Sequence, residues 1–170
     1  MMVKIVSGGQ TGVDRAALDV ALKFGLPCGG WCPEGRLAED GPISDRYPLR
    51  ILPGGDYRAR TRANVADSDG SLIVYFEEPT GGTALTLRFC LELGKPFKLL
   101  DAVEIPPRRG ARALARFVER HKIRVLNVAG PRASTSPRAY DYTWKLLATA
   151  LAHPVNYDGF AADRDQAVSR

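Results

Sequence analysis

The chain is poor in the residue most often used for proton transfer near neutral pH. It has two histidines, His121 and His153. Each falls near the end of a helical stretch, where interaction with the helix dipole accounts for it. Three cysteines, Cys28, Cys32 and Cys90, cannot all pair, which argues against a disulfide scaffold. The spacing of the first two lacks that of a metal finger and no histidine lies close, so no metal site is expected. They read as small buried apolar groups in a reducing compartment. No apolar run approaches the ~18 residues of a membrane span and no N-terminal signal pattern appears, so a cytoplasmic chain without a membrane partner is expected. Aromatics make up 8% of the residues and do not interleave with a basic stripe, as a nucleic-acid groove requires.

What remains is an ordinary globular composition of 170 residues, 45% hydrophobic and 25% charged, the size of one domain. Lys and Arg number 24 against 19 Asp and Glu. The excess suits an anionic small molecule, since the arginines are spread among acids.

The chain centres on Ser7-Gly8-Gly9-Gln10-Thr11-Gly12-Val13-Asp14-Arg15. It follows a short apolar strand, residues 3–6, and precedes a helix over 16–25 closed by Gly25. A strand, a glycine turn and a helix together aim backbone N–H groups and a positive dipole end at one place. Gly8, Gly9 and Gly12 allow a bulky anion close to the backbone, and Thr11 adds a hydroxyl. The turn is neither G-x-G-x-x-G nor a P-loop, so the ligand is a phosphate or similar anion of open identity. Asp14, in the first turn of the helix, is expected to stay ionised and to bond turn amides or the amine edge of a ligand. Arg15, Asp19 and Lys23 read as an exposed ion-paired stripe.

Residues 26–31 form a glycine-weakened strand. Residues 32–45, Cys32 to Asp45, have neither helical nor alternating period and read as a binding loop or lid ordered by ligand. A short edge strand is expected over 47–52. Asp56 is the N-cap of a helix reaching Asp67, on which Arg60 and Asn64 share a face that is either solvated or part of a site. Residues 71–76 make the strongest strand, leading into a second glycine turn with Gly81, Gly82 and Thr83 and a helix over 84–93. A strand at 97–100, a basic-faced helix over 108–121 and a strand at 125–129 follow. The turn at 130–135, with Gly130, Arg132 and Ser134, leads to a last helix starting at Ser136-Pro137, with Tyr140, Trp144, Leu147 and Leu151 on its apolar face.

This alternation predicts an α/β fold: a single doubly wound Rossmann-like domain, residues 1–156, with a polar C-terminal tail, 157–170. Its mainly parallel sheet has five or six strands with helices on both faces. Either a flavodoxin-like or a Rossmann-like strand order makes the 3–6 and 71–76 strands neighbours at the reversal of strand order, so that the first two glycine turns face one crevice. The 130–135 turn then lies near, and Arg36 or Arg132 offers a planar clamp for phosphate or carboxylate. Of the acids, Glu34, Glu39 and Asp40 on the long loop are the spare ones.

Several motifs in one order carry a resemblance. They are residues 8–19, residues 33–43, Arg60-Thr61-Arg62-Ala63-Asn64-Val65 with Ser68-Asp69-Gly70, Gly81-Gly82-Thr83, and Asn127-Val128-Ala129-Gly130-Pro131-Arg132. Over about residues 3–150 the chain resembles the family named putative molybdenum carrier proteins, in the Rossmann-like SLOG superfamily that also holds Lonely Guy-type phosphoribohydrolases. The resemblance implies a homo-oligomer that binds the molybdenum cofactor (molybdopterin) or a related phosphorylated pterin- or nucleotide-like molecule. The cofactor-binding residues it points to are Gly8, Gly9, Gln10, Thr11, Gly12, Asp14, Arg36, Glu39, Asp40, Arg60, Asn64, Gly81, Gly82, Thr83, Gly130, Arg132 and Ser134. The alternative is an enzyme hydrolysing the N-glycosidic bond of nucleoside monophosphates. Lonely Guy relatives carry a catalytic Glu three residues after the Thr of the second turn, whereas here Thr83 is followed by Ala84, Leu85 and Thr86. No catalytic residue is therefore assigned.

Overall fold

A computed structural model describes residues 3–152. In chain order the elements are β1 (Lys4–Val6), α1 (Val13–Lys23), β2 (Cys28–Gly29) and β3 (Trp31–Cys32), then a 3-10 turn (Glu34–Arg36), β4 (Leu37–Ala38), β5 (Gly41–Pro42) and β6 (Arg50–Ile51). They continue with α2 (Tyr57–Ala66), β7 (Gly70–Tyr75), α3 (Gly81–Glu92), β8 (Phe97–Asp101), α4 (Pro107–Arg120), β9 (Val125–Ala129) and α5 (Ala139–Ala152). His153 and the tail expected after Tyr157 lie outside the described residues.

Five strands form one parallel sheet in the order β2-β1-β9-β7-β8. The α/β fold with a Rossmann-like sheet is as the alternation predicts. The expected adjacency of the 3–6 and 71–76 strands is not. β9 lies between them, pairing Lys4 with Val125 on one side and Gly70 with Leu126 on the other. A strand arriving through a helical crossover can enter a parallel sheet at any position, and Leu126, Asn127 and Val128 are apolar or self-satisfying enough to be buried on both faces. Counted from β9, the order reads third-second-first-fourth-fifth, the order of a Rossmann sheet. The chain thus starts one strand late and supplies the first strand last.

Helices α1, α4 and α5 cover one face, over a core including Ile5, Val13, Leu72, Val74, Leu100, Leu126 and Leu146. Helices α2 and α3 pair over the other, with Val65, Ile73, Phe89 and Cys90 between them and the sheet. Of the cysteines, Cys32 and Cys90 are buried and Cys28 is half-buried. Asp56 caps α2 as expected, accepting from the Ala59 N–H at 2.7 Å.

Three helix starts differ from expectation. α1 begins at Val13 and α3 at Gly81, so the turn glycines are partly helical. α5 begins at Ala139, because the Thr135 and Ser136 N–H groups both turn back to the Arg132 carbonyl and hold Pro137 outside the helix. Its buried face is Ala139, Tyr142, Thr143, Leu146 and Leu147, with Tyr140 and Trp144 stacked on the flank.

The 32–45 segment is a built arm, not an open loop. β3 pairs with β6, and β4 with β5 as a small hairpin, so the expected edge strand joins the arm instead of the main sheet. The Arg36 guanidinium holds the arm in shape by donating to the carbonyls of Leu49 at 2.9 Å, Ser44 at 3.0 Å, Tyr47 at 3.2 Å and Ile43 at 3.3 Å. One side chain thus satisfies backbone that a sheet ladder would otherwise satisfy, which is why no periodicity marks the segment. Ile43, Tyr47 and Leu49 bury themselves against Leu18 of α1. Of the Arg15-Asp19-Lys23 stripe, Arg15 and Asp19 are accordingly half-buried and only Lys23 is exposed. Asp19 receives the hydroxyls of Tyr47 and Tyr140, each at 2.7 Å, and Arg46 at 2.5 Å.

Candidate ligand crevice

With β9 inserted, the strand order reverses between β9 and β7, and it is there, beyond the carboxyl ends of the strands, that such sheets bind ligands. A cavity of about 310 Å³ opens at this point. Of the expected site residues it brings together Gln10, Asp14, Arg60, Gly81, Gly82, Thr83, Gly130, Arg132 and Ser134. A second hollow of about 480 Å³ adjoins it, sharing Thr80, Thr83, Pro131 and Thr135 and extending to Phe76, Glu77 and Arg138. Together they fall in the size range of small-molecule sites. Glu77, two residues past β7, has φ 64, left-handed backbone uncommon for a non-glycine residue and shared here by Arg36 and Lys122.

At the crevice floor lie two side chains with unused donors. Gln10 is 7% exposed, and its Oε1 accepts from the N–H groups of Thr11 at 3.0 Å and Glu39 at 2.9 Å. These bonds orient the amide, so Nε2 is a donor, and it has no partner among the described residues. Arg60 pairs its Nη1 with Asp14 Oδ2 at 3.3 Å, while its Nε also lacks a partner. Each unmatched buried donor costs roughly 1–3 kcal/mol.

Asp14 is 4% exposed and lines the same cavity. The helix dipole expected to hold its pKa low is not the dominant influence here. Burial is the largest influence and drives its carboxyl above the usual range, while the Arg60 guanidinium and the Gln10 N–H pull it back only in part. Desolvation outweighs the dipole because the helix end is itself enclosed.

Beside these groups, α3 starts with no side chain capping it. A Cβ added at Gly81 or Gly82 would meet nothing within 4 Å. Its first turn therefore faces open space with its positive end toward the cavity. Thr86, three residues on from Thr83, shares that face. Thr80, Thr86 and Thr135 are lining residues the motifs did not single out. The Thr83–Thr86 helical spacing was a usable signal, but Thr135 had none.

The remaining expected residues stand elsewhere. Gly8 lies under the Arg60 guanidinium, where a Cβ would fall 1.5 Å from Nη1. Gly9 packs on Leu49 and Ile43, and Gly12 on the Pro131 carbonyl. The Val13 N–H donates to that same carbonyl at 3.2 Å, so protein, not ligand, seals the start of α1. Asn64 fastens α2 to β3, accepting from Trp31 N at 2.8 Å and donating to Trp31 O at 3.0 Å. Arg36 is committed to the arm. Asp40 makes a two-pronged pair with Arg15, both contacts at 3.1 Å. Glu34 accepts from the Gly54 N–H at 3.1 Å. Thr11 and Glu39 meet at the rim, where Glu39 also bonds Ser134. Among the described residues no three His, Cys, Asp or Glu side chains group as a metal would need, and no helix is long and apolar enough to cross a membrane.

Fold and crevice together define a Rossmann-like α/β protein with a cleft at the switch point of its sheet. Residues 5–151 match the circularly permutated YpsA SLOG family, and the chain belongs to that family. A sheet whose first strand comes last in the chain is what a circular permutation produces. A crystal structure of a protein named "putative molybdenum carrier protein", from Syntrophus aciditrophicus SB, is similar throughout. It has 46% identity and a TM-score of 0.86, over 88% of this chain and 95% of that one. None of the curated proteins matches.

Proposed function

We propose that this protein binds and carries a phosphorylated pterin- or nucleotide-like molecule in the β9–β7 crevice, with the molybdenum cofactor (molybdopterin) as cargo. The observation that carries this reading is the pair of unpartnered buried donors, Gln10 Nε2 and Arg60 Nε, beside the uncapped start of α3. Donors without acceptors suit oxyanion or carbonyl groups of a ligand. The open glycines Gly81 and Gly82 let a phosphate approach the helix amides, and Arg132 stands at the rim of the same cavity. The name borne by the Syntrophus aciditrophicus protein supports molybdenum cofactor as the cargo. A homo-oligomer in the cytoplasm completes the proposal.

Asp14 favours a second reading, hydrolysis of an N-glycosidic bond. A carboxyl with a raised pKa on the floor of the cavity is the kind of group that protonates a leaving base. One set of measurements separates the two. Native mass spectrometry of protein purified without stripping is expected to show a bound small molecule, and titration with molybdopterin saturable binding. Both should be absent in Gly82→Val, whose melting temperature should be unchanged because the new side chain points into open space. Equal binding by Gly82→Val would remove the crevice as the site. Release of free base from nucleoside monophosphates, lost in Asp14→Asn, would put the hydrolase reading first.

A further inference from the structure

We infer that the Glu39 carboxylate occupies an anion subsite at the crevice rim as an internal stand-in, and that the phosphate of an incoming ligand displaces it and releases the 37–42 hairpin. This rests on the crevice being a site for an anionic ligand, but not on that ligand being molybdopterin.

Glu39 sits at the tip of the hairpin, and everything it meets is a donor. Its Oε1 accepts from the Thr11 hydroxyl and from the Ser134 N–H at 3.1 Å, and its Oε2 from the Ser134 hydroxyl. Arg132 Nε lies 3.9 Å from the same carboxylate. A backbone N–H, two hydroxyls and a guanidinium are the set with which proteins hold phosphate oxygens. They come from two different turns, 8–12 and 130–135, and Arg132 and Ser134 also line the 310 Å³ cavity. An anion entering that cavity therefore competes with Glu39 for the same donors. The hydrogen bonds from Ser134 and Thr11, with Arg132 behind them, outweigh partial desolvation and keep the carboxyl below its ordinary pKa, so it is an anion at neutral pH.

Gln10 links rim and floor. Its Oε1 accepts from the Glu39 N–H, and its Nε2 is one of the unpartnered donors. Departure of Glu39 would remove one of the two bonds that hold the Gln10 amide and let it turn toward the ligand. The moving piece is small. Arg36 and the buried Ile43, Tyr47 and Leu49 anchor the rest of the arm, and within the hairpin only Ala38 is buried against that cluster. Gly35 at φ 78 and Gly41 at φ 108 flank the tip, conformations that suit hinges. Asp40 would have to keep or re-form its pair with Arg15 as the tip swings.

The test uses inorganic phosphate and pyrophosphate as probes, with calorimetry on the full chain. A tethered carboxylate competes at a high effective concentration, so Glu39→Ala should bind pyrophosphate about tenfold tighter or more than wild type. Glu39→Gln, which keeps the shape but loses the charge, should lie between. In Glu39→Ala combined with Ser134→Ala the gain should be lost. Hydrogen exchange over residues 37–42 of the wild type should speed up when pyrophosphate is added, the opposite of a lid closing over its ligand. Wild-type binding that Glu39→Ala and Glu39→Gln leave unchanged or weaken, or slower exchange in the hairpin, overturns the stand-in while leaving the crevice intact. No binding of either probe by any of these proteins overturns the subsite and the anion reading of the crevice together.

Discussion

The turn from β1 into α1 and the turn from β7 into α3 look alike as strings: a strand, clustered glycines, a threonine and a helix. In the folded protein they are opposites. At the first turn a Cβ at Gly8, Gly9 or Gly12 would come within 1.5, 2.5 and 2.4 Å of Arg60, Leu49 and the Pro131 carbonyl. At the second, Gly81 and Gly82 have nothing within 4 Å. Glycine is required in one place because protein is too close, and in the other it leaves room for something that is not protein. The difference follows from β9. Its insertion puts the switch point between β9 and β7 and leaves the first turn's glycines at the flank, where the arm, Arg60 and the 130–135 turn cover them.

The contrast is open to attack by substitution. The largest effect is expected at Arg60, which lies over Gly8 and pairs with Asp14. Arg60→Met leaves a buried carboxylate without its partner and should cost about 3–5 kcal/mol in urea denaturation. The loss has a pH signature. A carboxyl whose folded pKa is raised contributes stability below its unfolded value, 3.8, and loses it as pH climbs through the folded value. Without Arg60 the folded value rises further, so the deficit of the variant should widen from pH 4 to pH 8. A deficit independent of pH would mean that Arg60 acts by packing alone.

Next comes Gly12→Val. At φ 76 and against the Pro131 carbonyl it combines overpacking with left-handed strain, and about 3 kcal/mol of destabilisation is expected. A melting temperature equal to wild type would show that the first turn is no more packed than the second. The smallest effect has the opposite sign. Gly82 lies in the first turn of α3 with ordinary backbone, so Gly82→Ala should raise stability by about 0.5–1 kcal/mol. Loss of stability there would mean that the second turn is also filled.

The element types were legible because each has a local cause. The continuous apolar run of β7, the hydroxyl-free but carboxylate-capped start of α2 and the basic-faced amphipathic α4 were all visible in the string and occur near their expected bounds. The site was legible in part. Gln10, Asp14, Arg60, Arg132, Ser134 and the second-turn residues do converge. Gly9, Arg36 and Asn64 carry the same motif signals but serve packing and backbone satisfaction. A glycine, arginine or asparagine has the same letter whether its neighbour is a ligand or the chain itself.

By itself, then, the sequence determined the strands and helices of the main sheet, that they build a parallel α/β sheet, and which few polar residues were available for a site. These depend on periodicity, turn chemistry and side-chain type, all of which act over a few residues. Only the tertiary structure decided that β9 enters between β1 and β7, that Arg36 knits the arm instead of clamping a ligand, and that Asp14 is too deeply enclosed for a helix dipole to keep its pKa low. Each of these depends on burial and on partners distant in the chain, because desolvation and donor matching are properties of the surroundings and not of the residue.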